Sequence, residues 1–213
     1  MQPAQLGIEL LMPFAMWAVM MVAMMAPSAA PLVLTFARAN RKQGASHVAG
    51  SAGILVAGYL LAWVGFSVPA ALLQWGLHGA GLLSHMMESN SALFDGLLLA
   101  AAGAYQLTPL KHACLQRCRS PLSFLMADWR EGPWGALRMG LKHGAYCVGC
   151  CWLLMLLMFV AGVMNLLWAA AIAVLVLLEK VAPKGDLLAR VAGAALVAAG
   201  IALLAGVVAP DTR

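Results

Sequence analysis

Long apolar runs, each broken by a short polar and charged segment, organise the whole chain. Uncharged stretches of about 17–25 residues are what a helix needs to cross a bilayer. On that criterion the pattern predicts spans at about 10–37, 51–77, 91–109, 144–162, 165–182 and 187–208. The first contains Pro27 and Pro31, which are expected to kink or shorten it. Between Lys142 and Glu179 lie 36 residues without a formal charge. As one helix these would reach ~54 Å, against a hydrocarbon core of ~30 Å. A tight hairpin turning near Gly162 to Asn165 is therefore predicted. Segment 110–142 reads as a long loop that contains Pro121, Trp129, Pro133 and Trp134. A short amphipathic or interfacial helix is expected in it around Leu122 to Arg130. No internal repeat or second domain is visible, so 1–213 is read as a single transmembrane domain.

Composition removes the alternatives. Of 213 residues, 63% are apolar and 10% are charged, whereas a soluble domain runs at about 45–50% and about 25%. A secreted or cytosolic globule, a disordered chain and a nucleic-acid module are excluded, and the lipid bilayer is the solvent that fits. The net charge of +5 adds orientation. Basic residues gather as Arg38, Arg41 and Lys42, then as Lys111, Arg117, Arg119, Arg130, Arg138 and Lys142, then as Lys180, Lys184 and Arg190, with Arg213 alone in the tail. The intervening connections and the N-terminal segment have none. Cytoplasmic loops collect Lys and Arg. The predicted fold class is thus all-α, a polytopic transmembrane helix bundle of six spans with both termini outside and loop 110–142 in the cytoplasm. The first apolar run is too long for a removable signal peptide.

Soft ligands are not scattered. All five cysteines fall within 38 residues. Cys114 and Cys118 are spaced i, i+4 beyond the third span, and Cys147, Cys150 and Cys151 open the fourth, with His143 four residues ahead of Cys147. On a helix, positions 143, 147, 150 and 151 share one face. Thiolate and imidazole together suit Cu(I) or Zn(II) and select against Mg and Ca. The competing account is that small cysteines pack as weak hydrophobes in membrane helices. His112 borders the same region, where it serves equally well as a solvated loop residue.

Methionine adds a second pattern. Met12, Met16, Met20 and Met24 repeat at i, i+4 in the first span, with Met21 and Met25 offset by one. Thioether sulfur binds Cu(I) without deprotonation, whereas Zn rarely uses it. A ladder of this kind fits a relay for a soft monovalent ion, and it fits an ordinary helix–helix contact as well. His78, His85, Met86 and Met87 in the second loop offer soft donors on the outer side, or simply a short polar connection. No phosphate-cradling loop, no His-Glu-x-x-His and no Ser-His-Asp arrangement is present. With eight acidic residues, general acid–base chemistry has little to draw on. An enzyme is not expected.

The stretches MMVAMMAPSAAP (Met20 to Pro31), YQLTPLKHACLQRCRSPL (Tyr105 to Leu122), GLKHGAYCVGCCWLLM (Gly140 to Met155) and GVMNLLWAAAIAVLVLLEKVAP (Gly162 to Pro183) resemble a bacterial integral-membrane family of predicted metal-binding proteins. That family includes a membrane copper chaperone that supplies a tyrosinase. The resemblance implies a multi-pass protein of the bacterial inner (cytoplasmic) membrane that holds Cu(I) and delivers it to an apo-cuproenzyme or exchanges it with a soluble copper carrier. By motif it implies Cys114, Cys118, His143, Cys147, Cys150 and Cys151 as metal ligands, with Met20, Met21, Met24 and Met25 as further candidates. Zinc binding stays open as an alternative. So does a membrane thiol–disulfide redox protein, although thiols facing a reducing cytoplasm argue against it.

Overall fold

The computed structural model describes residues 3–42, 48–84 and 88–208. They form helices α1 (Pro3–Lys42), α2 (Val48–Gly79), α3 (Ala92–Gln106), α4 (Pro109–Arg119), α5 (Pro121–Asp128), α6 (Gly132–Leu156), α7 (Met158–Ala161), α8 (Leu166–Val181) and α9 (Gly185–Val208). The fold is all-α, and no strand occurs among the described residues beyond one isolated Leu83–Ser89 bridge. Four stretches are long and apolar enough to cross a membrane: Gly7–Arg41, Val48–Gly79, Gly132–Ala161 and Gly185–Gly206. Their outward faces carry Val19, Leu61, Val191 and Ile201 in the open. So many exposed apolar side chains call for an apolar surround.

Three features depart from the hydropathy reading. First, α1 continues without a break through Pro13, Pro27 and Pro31. Second, segment 110–142 is mostly helical. Within it α5 falls on the short helix expected around Leu122 to Arg130, while α4 is additional and α6 starts twelve residues before the expected span. Pro109 and Pro121 open α4 and α5, at the helix position where a missing N–H costs nothing. Third, α3 and α8 are short, at 15 and 16 residues. The turn near Gly162 to Asn165 does form. Gly162 sits at φ +90°, and the Asn165 side chain accepts from Trp168 N at 3.1 Å to cap α8.

The chain divides into two compact units, Met1–Ala71 with Ala113–Cys150, and Leu72–His112 with Cys151–Arg213. In the first, Leu32 and Phe36 of α1, Leu55 of α2, Phe124 and Leu125 of α5, and Ala136 and Met139 of α6 make a buried core. The Phe36 ring meets Trp129 at a tilt, with centroids 5.5 Å apart. Helices α2 and α6 touch backbone to backbone: a Cβ at Gly140 would run into the Leu55 carbonyl, and one at Gly144 would lie 2.8 Å from the Tyr59 carbonyl. Glycine at i and i+4 is the usual means of such approach in membranes, where dispersion rather than water expulsion holds helices together.

In the second unit, α3 and α9 meet in the same way, with Gly103 against Gly193 and Val197. Its interior holds an ionic group: Lys111 Nζ lies 2.6 Å from Glu179 Oε2, both side chains about 1% exposed, and Gln106 Nε2 donates to Glu179 Oε1 at 2.8 Å. A lone buried carboxylate would cost several kcal/mol (roughly), so Glu179 is tolerated because α3 and α4 bring it two donors. Tyr105 beside Gln106 instead contacts Trp152 edge-on.

Candidate metal centre

The centre is built on α6. Cys147, Cys150 and Cys151 are fully buried, and their sulfurs lie within 4.8 Å of one another. Spacing of i, i+3 and i+4 on one helix brings the thiols together, and an ion placed among them would have three soft donors. Cys150 Sγ donates to the Cys147 carbonyl at 3.1 Å. All five cysteines are free thiols.

From α4, the buried thiol of Cys118 hydrogen-bonds with Cys147 and Cys150. These contacts and its burial hold the Cys118 thiol well above the usual range. Cys114, one turn earlier, is half-buried, whereas the other four cysteines are buried. Burial and the nearby Cys150 push its thiol up as well. A Cβ at Gly149 would lie 3.2 Å from Cys114 Sγ. The missing side chain between Cys147 and Cys150 is thus what lets Cys114 rest on α6. His143 is buried one turn before Cys147 but outside the three-thiol set. Its ring lies between Phe124, 5.1 Å away edge-on, and Tyr59 at 6.1 Å. His112 is half-exposed, 3.4 Å from Asp186.

The methionines of α1 separate by burial. Met21, Met24 and Met25 are buried, Met16 and Met20 partly so, and Met12 is 66% exposed. The four-residue ladder does not run along one enclosed face. His78, at the end of α2, is exposed, while His85, Met86 and Met87 lie outside the described residues.

Two residues not anticipated from sequence tie the methionine segment to the thiols. Tyr59 Oη is 3.0 Å from Cys147 Sγ, 2.9 Å from Ser28 Oγ, and donates to the Met25 carbonyl at 3.2 Å. Ser28 Oγ also reaches that carbonyl, at 2.9 Å. Hydroxyl groups buried in apolar helices are the signal for both, since each must find a partner. Ser28 lies within the MMVAMMAPSAAP stretch, but nothing in the sequence pairs it with Tyr59.

An all-helical membrane protein with a buried cluster of soft donors is the class that fold and site define. The family comparison narrows it. A family model described as PpoB2, copper chaperone, matches residues 14–203, and the chain belongs to that family. No curated protein and no solved structure matches it. The family's role is to hold and hand over copper, which is not a catalysed reaction.

Proposed function

We propose that this protein is a six-span, multi-pass chaperone of the bacterial inner membrane, a single transmembrane domain over 1–213. It holds Cu(I) among Cys147, Cys150, Cys151 and Cys118 near the cytoplasmic face and delivers it to an apo-cuproenzyme such as a tyrosinase. The observation that carries this reading is the set of three buried thiols within 4.8 Å on one turn of α6. Thiolates select Cu(I) and Zn, and the copper-chaperone family favours the former. The buried Met21, Met24 and Met25, with the partly buried Met20, offer thioethers on α1, a donor type that favours copper over zinc.

Hand-over proceeds by ligand exchange. An incoming thiol of a client or soluble carrier bonds to copper as a Cu–S bond to the cluster breaks, and its proton passes to the departing thiolate; an imidazole or thioether enters without a proton, and the departing thiolate then takes one from water. No change of oxidation state is needed. Cys114, half-buried and one turn from Cys118 on α4, provides the first point of exchange. His143 stands ready as a further donor one turn from Cys147. Metal content by mass spectrometry on protein prepared under reducing conditions tests the reading. Wild type should carry one to a few (roughly) copper ions with little zinc, and a variant with Cys147, Cys150 and Cys151 all changed to Ser should lose most of them. Unchanged copper in that variant would remove the thiol site, and zinc in place of copper would overturn the metal assignment.

A further inference from the structure

Away from the thiols, the first unit carries a cleft of about 460 Å³ lined by Asp128, Arg130, Arg138, Met139, Leu141, Lys142 and Ala145. Three of these are cations and one is a carboxylate. The carboxylate is already engaged, since Asp128 Oδ1 pairs with Lys142 Nζ at 2.5 Å. Arg130 and Arg138 have no acidic partner among the described residues. Local geometry holds them beside one cleft. Gly132 turns the chain at φ +78°, and the Arg130 carbonyl packs so closely on α6 that a Cβ at Gly135 would lie 2.6 Å from it. Arg138 and Lys142 follow at i, i+4 spacing on α6.

The remaining wall is apolar, with Met139, Leu141 and Ala145. The helix that supplies it begins the membrane-competent stretch Gly132–Ala161. Trp134 on the same first turns is 81% exposed, and Met126 on α5 is 78% exposed. Tryptophan at a helix end beside arginines marks headgroup depth. Guanidinium groups match phosphate oxygens two at a time. A free anion would have no use for the apolar wall, whereas a phospholipid places glycerol and acyl carbons against it.

We infer that this cleft binds the phosphate of an anionic phospholipid headgroup, with Arg130 and Arg138 as the phosphate-holding residues. The site does not depend on copper, so its test needs none. Full-length protein in neutral detergent is titrated with phosphatidylglycerol and, separately, phosphatidylcholine, and bound lipid is counted by native mass spectrometry. Phosphatidylglycerol should bind in preference. Changing Arg130 and Arg138 both to Gln should weaken its binding about 30-fold, at roughly fivefold for each charge near a lipid surface. The paired change to Lys should retain most of the affinity, which separates loss of charge from loss of fold. Asp128→Asn should act in the opposite direction and tighten binding several-fold (about fivefold). Equal lipid binding by wild type and the Gln pair would overturn the inference. So would equal affinity for phosphatidylcholine, or displacement of the lipid by millimolar inorganic phosphate, which would make this a free-anion site.

Discussion

Tyr59 is where one side chain has the most to say about the metal. Its hydroxyl is shared between Cys147 Sγ, Ser28 Oγ and the Met25 carbonyl, and its ring packs on His143. With Cys147 a thiolate ligand, as proposed, the Tyr59 proton would turn from the Met25 carbonyl to that sulfur and stabilise it; outer partners of this kind are worth about 10–100-fold in metal affinity. Tyr59→Phe keeps the ring and removes only the hydroxyl. It should weaken Cu(I) binding by about tenfold, measured by competition with a Cu(I) chelator, while thermal stability falls by only about 1 kcal/mol. A large loss of stability with unchanged affinity would assign Tyr59 to packing alone. The spacing Cys147, Cys150, Cys151 was legible in sequence because helical periodicity turns spacing into proximity. The Tyr59–Cys147 contact was not, because it joins residues 88 positions apart and depends on how α2 docks on α6.

At the level of elements, that docking rests on glycine. Gly140 faces the Leu55 carbonyl with no room for a Cβ. Gly140→Val should force α2 and α6 apart and cost about 1–3 kcal/mol, seen as a lowered melting temperature in detergent. Because Tyr59 reaches Cys147 from α2, copper affinity should fall with it. Gly65, on the same α2 but with nothing within 4 Å of its Cβ position, is the matched control. Gly65→Ala should be neutral or stabilising by up to about 1 kcal/mol. Long apolar elements were plain from hydropathy, as α1, α2 and α9 show. The short helix α5 was legible, whereas α4 and the early start of α6 were obscured because Arg117 and Arg119 sit on the one and Arg138 and Lys142 on the other. Charge near a membrane surface looks the same on a loop and on a helix end. The cue that was available is proline at the first position of α4 and of α5.

Across the whole molecule, the number of helices that cross fixes which side each connection faces. If only the four long apolar stretches spanned, His78 after α2 and Glu131 before α6 would lie on the same side of the membrane. That side would also hold Arg117, Arg119, Arg130, Arg138 and Lys142, against the tendency of basic residues to stay in the cytoplasm. Crossing by α3 and α8 removes the conflict. At 15 and 16 residues they are ~22–24 Å long, a shortfall of several ångströms (~6–8 Å) that bilayer thinning and flanking residues absorb at modest cost. Two lysines counted toward orientation are buried, Lys111 against Glu179 and Lys180 near it in sequence. Without them, five basic residues remain between α3 and the apolar part of α6, and Lys184 and Arg190 remain after α8, so the bias keeps its sign. Single cysteines placed at the exposed His78 and Glu131 in a background without the five native ones settle it. With an impermeant maleimide on intact cells, His78→Cys should label and Glu131→Cys should label only after the membrane is opened. Labelling of both from outside would mean four spans, and the reverse pattern would invert the protein and turn the thiol cluster toward the oxidising side.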